Sequence, residues 1–109
     1  TSANQEDHVS MAAHGARRLA DMNDNLGRIL GIEMLCAAQG IHFRAPLKTS
    51  AALARVMDVY RQDIAVLTDD RYMAGDLEKS AELVRTRTLV NASGIQLIPP
   101  LGAERYVSP

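Results

Sequence analysis

The sequence predicts an all-α fold: one long N-terminal helix packed in a helical bundle, then two shorter helices and an irregular C-terminal tail. Three observations carry this. Residues 2–41 contain no proline and are dominated by Ala, Leu, Met, Arg, Glu and Gln, all strong helix formers. Apolar residues recur at spacings of three and four, and no strand pair or internal repeat is found. Gly and Pro gather between Gly40 and Pro46 and again after Val90, where they punctuate the pattern.

The first helix is expected from about Ser2 to Ile41. Val9, Ala12, Ala16, Leu19, Met22, Leu26, Ile29 and Leu30 form one face, with Arg17, Arg18, Asp21, Asp24, Asn25 and Arg28 opposite. From Leu26 to Ala38 the apolar stripe widens until little polar surface is left. A helix apolar nearly all round has to be surrounded. A rod of roughly 57 Å is more than two short helices can cover, so other chain segments or subunits are expected to cover it. Gly40 and Ala45-Pro46 close this helix.

Thr49 or Ser50 caps the second helix, whose apolar set is Leu53, Val56, Met57, Tyr60, Ile64 and Leu67. Thr68-Asp69-Asp70-Arg71 is a turn. Gly75-Asp76 then opens a third helix through about Thr88, with Leu77, Ala81 and Val84 inward. Residues 1–90 thus form one helical segment and 91–109 a tail containing Asn91-Ala92-Ser93-Gly94 and Pro99-Pro100.

Twelve Lys plus Arg against thirteen Asp plus Glu provide no basic field for a phosphate backbone, which argues against a nucleic-acid partner. Gly27, Arg28, Gly31 and Glu33 interrupt the longest apolar stretch, which argues against a membrane span. The polar start carries no secretory pattern, and the lone Cys36 suits a reducing compartment, so a cytoplasmic location is expected. The chain opens Thr1-Ser2-Ala3 with the helical signal close behind, as either a cut from a longer protein or processing of a start methionine would leave it.

The densest polar cluster is Asn4-Gln5-Glu6-Asp7-His8. Structurally, Ser2-x-x-Gln5 fits a capping box, and Glu6 and Asp7 complement the positive end of a helix dipole. Functionally, a helix start aims an amide and a carboxylate into a cleft, with Glu6 as proton acceptor or cation anchor and His8 as a further base. His8 and His14 are six residues apart and fall on different helix faces, so no metal site is expected. Cys36 lies among Leu35, Ala37 and Ala38 and reads as core packing, not as a nucleophile.

Ser2-Ala3-Asn4-Gln5-Glu6-Asp7-His8-Val9-Ser10-Met11 closely resembles the Gln-Glu-Asp-His-Val-Ser-Met stretch of the histidine ammonia-lyases, in the aromatic amino acid lyase family. Ala16-Arg17-Arg18-Leu19, Ile32-Glu33-x-Leu35, Ala38-Gln39-Gly40-Ile41, Leu47-Lys48-Thr49-Ser50 and Asp70-Arg71-Tyr72 with Asp76 extend the resemblance to about Val90. It implies a cytoplasmic, almost all-α homotetramer that eliminates ammonia from L-histidine to give trans-urocanate. Its electrophile is a methylidene-imidazolone group formed from an internal Ala-Ser-Gly, and each active site is assembled from several subunits.

By matching position, Gln5 would hold a site tyrosine, water or the prosthetic group. Glu6 would engage the substrate's imidazole or amino group and move a proton, while His8 would act behind them. Glu6 followed by Asp7-His8, where aromatic ammonia-lyases have Asn-Gln-Asp-Val, favours histidine as substrate. The family's N-terminal part, with its own Ala-Ser-Gly and catalytic tyrosines, is not in this sequence. Ala92-Ser93-Gly94 spells the tripeptide in a different setting. The implied protein is therefore the C-terminal part of a lyase, inactive alone, with no cofactor in this segment and the remaining chain or a homo-oligomer as partner. The alternatives are a stand-alone helical oligomerisation module, or a segment of a related ammonia-lyase or aminomutase acting on another amino acid.

Overall fold

The computed structural model describes residues 2–5 and 7–95. A single 3-10 turn (Ser2–Asn4) precedes four helices: α1 (Ala12–Phe43), α2 (Ala51–Asp63), α3 (Ala74–Arg85) and α4 (Thr88–Ser93). The all-α fold with a long first helix is as the sequence predicts. The radius of gyration is 20.3 Å, against about 13 Å for a compact domain of this size.

The first helix starts later than its periodicity suggests. Ala3 and Asn4 are left-handed (φ 47° and 65°), and α1 begins only at Ala12. Asn, Asp and Ser compete for the backbone with their own side chains, and Val9 is β-branched, so the stretch before Met11 carries the right spacing with poor helix formers. Ser10 Oγ accepts a bond from the Ala12 N–H (3.4 Å), and the first helical bond runs from Gly15 N to Met11 O (2.8 Å). Gln5 therefore caps no helix. The rod is 32 residues, about 48 Å long.

Helix α1 turns its small residues, not its large ones, toward the rest of the chain. Its buried residues are Gly27, Gly31 and Ala38, and α3 lies along them. A Cβ on Gly31 would stand 2.7 Å from the Ala81 nitrogen, so only glycine permits this approach. The buried Ser80 hydroxyl donates to the Gly31 carbonyl (2.7 Å). With that proton committed, the Tyr60 phenol donates to Ser80 Oγ (3.0 Å). Burial pushes the Tyr60 phenol above its usual pKa, partly opposed by the Ser80 hydrogen bond. Ala38, Tyr60, Ile64 and Leu83 form the core, with Met34, Met57 and Leu89 packed around it.

Ser50 caps α2 by accepting from Leu53 N (3.4 Å). The helix stops at Asp63, and Ile64 is extended yet buried. The segment that follows is held by side chains. Gln39 of α1 donates to the Leu67 carbonyl (2.9 Å) and accepts from the Leu67 N–H (3.1 Å). Arg71 bonds Asp76 (2.8 and 3.0 Å) and the carbonyls of Val66 (3.1 Å) and Ala65 (3.0 Å).

Helix α3 buries Ser80, Ala81 and Leu83, whereas of the residues expected inward Val84 is half-buried and Leu77 is exposed. It ends at Arg85, where the Thr86 hydroxyl bonds back to the Glu82 carbonyl (2.8 Å) and Arg87 turns left-handed (φ 60°). Residues 88–93, expected partly as tail, form α4, and Gly94 (φ 68°) ends it. The rest of the tail lies outside the described residues.

Candidate functional site

Gln5 lies in non-helical backbone ahead of α1 and is exposed, as are Asp7 and His8. Glu6, the other residue singled out for catalysis, lies outside the described residues. None of Gln5, Asp7 and His8 makes a side-chain hydrogen bond or ion pair with another described residue. The arrangement offers an amide and an imidazole ahead of the rod, with no opposing wall from the described residues.

The described grooves lie elsewhere. Leu30, Met34, Ala37, Leu83 and Val90 help line one of about 370 Å³ between α1, α3 and α4. A wider one of about 590 Å³, bordered by Ile41, His42, Lys48, Met57 and Asp58, sits where α1 meets α2. Among the described residues no three His, Cys, Asp or Glu side chains come together as metal ligands. No described helix is long and apolar enough to cross a membrane.

What α1 exposes is more telling. Leu19, Met22, Leu26 and Ile29 are 51–60% exposed and run along one side of the helix. Cys36, expected in the core, is exposed as well. An apolar face of this size on a helix marks a surface that packs against something else. Arg85 of α3 reaches Asp24 of α1 (2.9 Å).

The model of the family described as "Aromatic amino acid lyase" matches residues 1–62, which include the whole polar cluster and α1. The chain belongs to the aromatic amino acid lyase family. Two curated relatives are similar over nearly its full length. The histidine ammonia-lyase of Bradyrhizobium diazoefficiens is 62% identical over 99 residues, 91% of this chain and 19% of that protein. The histidine ammonia-lyase of Bartonella henselae is 55% identical over 101 residues, 93% of this chain and 20% of that protein. The chain thus spans about a fifth of the length of these aromatic amino acid lyase relatives.

Sequence reading missed the residues that hold the segment in shape. Gly27 and Gly31, four apart on a helix, read as interruptions in an apolar run, yet they mark where α3 approaches. That spacing was the available signal. Gln39 and Ser80 carry no local signal, since their partners lie 28 and 49 residues away.

Proposed function

We propose that this chain is the C-terminal part of a histidine ammonia-lyase. Assembled with the N-terminal part, it contributes to the elimination of ammonia from L-histidine to give trans-urocanate, and it is inactive alone. The observation that carries this is the 62% identity to a histidine ammonia-lyase over 91% of the chain. The uncovered apolar side of α1 supports the assembly, because Leu19, Met22, Leu26 and Ile29 need neighbours that the described residues do not supply. Those neighbours are the rest of the lyase chain and further copies in a cytoplasmic homotetramer.

In this reading Gln5 and Glu6 form the tip that enters the shared active site. Gln5 positions groups there through its amide, and Glu6 anchors the imidazole or amino group of the substrate and takes or returns a proton. The methylidene-imidazolone group that supplies the electrophile belongs to the N-terminal part. Ala92-Ser93-Gly94 does not fit as its source. Ala92 and Ser93 are the last residues of α4, the Ser93 hydroxyl is bonded to the Val90 carbonyl (2.7 Å), and Gly94 is its left-handed cap. The tripeptide serves here as a helix end.

Glu6→Gln in a full-length lyase carrying this segment tests the reading. Histidine turnover should fall by about 10²- to 10⁴-fold, the usual contribution of a positioned acid or base. Unchanged histidine turnover refutes the role of Glu6 and favours a lyase or aminomutase acting on another amino acid. The exposed α1 face also suits a stand-alone interaction module, for which light scattering would find a defined complex of the 109-residue chain with no N-terminal part present.

A further inference from the structure

Helix α4 is six residues long and buries none of them. Alone, so short a helix has no stability in water. Both its ends are left-handed, at Arg87 (φ 60°) and Gly94 (φ 68°), and a left-handed arginine is strained. The Thr88 hydroxyl is hydrogen-bonded to that of Thr86 (2.8 Å) at its start, and two further attachments hold it. Leu89 is partly buried against Ala38, Tyr60, Ile64 and Leu83. At the far end Arg55 of α2 donates from Nε to the Ala92 carbonyl (3.3 Å) and from Nη2 to the Ser93 carbonyl. These are last-turn carbonyls with no partner inside the helix, where a cation also meets the negative end of the helix dipole.

We propose that α4 is a strap fastened by Arg55, which opens and closes over the groove between α1 and α3 as a unit while α1, α2 and α3 stay folded. Leu89 and Val90 form one wall of that groove, and Leu30, Met34 and Ala37 of α1 form another. Opening α4 therefore widens the groove and uncovers the Leu83 edge of the core. The hinges are Arg87 and Gly94, and between them the described contacts that resist the motion are Leu89, the Arg55 guanidinium and the half-buried Thr88, Ala92 and Ser93. Segments with little buried apolar surface are those that open locally below the global unfolding free energy. Arg55 acts as a positioning residue: it sets the seat of α4 from a helix 37 residues away in sequence.

Hydrogen exchange of a full-length lyase carrying this segment, read peptide by peptide, tests this. Arg55→Ala keeps α2 helical, since alanine is the best helix former. Residues 88–95 should then exchange about tenfold faster, while 51–63 and 74–85 keep their wild-type rates. Arg55→Lys keeps the charge and loses the planar fork, so it should fall between, at about threefold. Gly94→Ala is an independent perturbation. Its Cβ would stand 3.2 Å from Arg55 Nη2 at a left-handed position, and it should open the same residues with Arg55 in place. The proposal is overturned if 88–95 is unprotected in the wild type, if Arg55→Ala leaves its rate unchanged, or if all three segments speed up together.

Discussion

Replacing Gly31 by alanine puts a methyl group where α3 passes α1. The new Cβ would meet the Ala81 nitrogen at 2.7 Å, its Cα at 2.9 Å and the Ser80 carbonyl carbon at 3.1 Å. All three are helix backbone atoms, so no side chain can swing aside. Ordinary contact begins near 3.4 Å, so the seam must open by about 0.7 Å. That also stretches the hydrogen bond from Ser80 to the Gly31 carbonyl, now 2.7 Å. Overpacking costs about 1–3 kcal/mol and a weakened buried hydrogen bond about 1 kcal/mol. Alanine's better helix propensity returns about 1 kcal/mol. The net is a destabilisation of about 1–3 kcal/mol. Gly40→Ala is the control, because nothing lies within 4 Å of its Cβ and it should be neutral or stabilising by up to about 1 kcal/mol. In a full-length lyase carrying this segment, the α3 amides of Gly31→Ala should exchange about tenfold to a hundredfold faster than those of Gly40→Ala. Equal protection in the two variants would refute the close approach.

Further outcomes follow from the same geometry. Gln39→Ala removes both bonds to Leu67 and should cost about 1–2 kcal/mol, read as faster exchange of 64–72 with the core unchanged. Arg71→Lys keeps the charge facing Asp76 but loses the fork that also bonds the Val66 and Ala65 carbonyls; unfolding in urea should show a loss of about 1 kcal/mol, and none would mean that the charge alone matters. Burial raises the Tyr60 pKa above 10.0, so the folded state keeps its proton to higher pH than the unfolded chain. That contribution is complete below about pH 10 and is lost as pH rises through the folded value. Stability should therefore fall more steeply above about pH 10 in the wild type than in Tyr60→Phe, and parallel curves would contradict it.

The periodicity of α1 was legible because large apolar residues at helical spacing identify a greasy face whatever covers it. It did not reveal that this chain packs α1 through the opposite, small side at Gly27, Gly31 and Ala38. Spacing reports which residues want cover and is silent on who supplies it. The overextension of the helix to Ser2 has a local cause, since Val9 kept the spacing while Asn4, Asp7 and Ser10 favour other backbone shapes. Helix α4 was obscured by Asn91, Ser93 and Gly94, which read as loop and are here the final turn and cap. Gln5 and Glu6 stood out through resemblance to a family motif. In the function proposed above, the walls of their site come from the rest of the lyase.

Helix α1 is clamped between about residues 24 and 39, by Asp24 to Arg85 and Gln39 to Leu67, while Ala12 to Asn23 project beyond α3. It is a cantilever. From Gly27 to Ala12 the lever arm is about 22 Å, so a tilt of about 3° at the clamp swings the free end by about 1 Å, a displacement that costs enzymes up to about a hundredfold in rate. On the proposed function, changes at Gly27, where a Cβ would press on Arg85 at 3.2 Å, should thus be felt in the turnover of a full-length lyase carrying this segment.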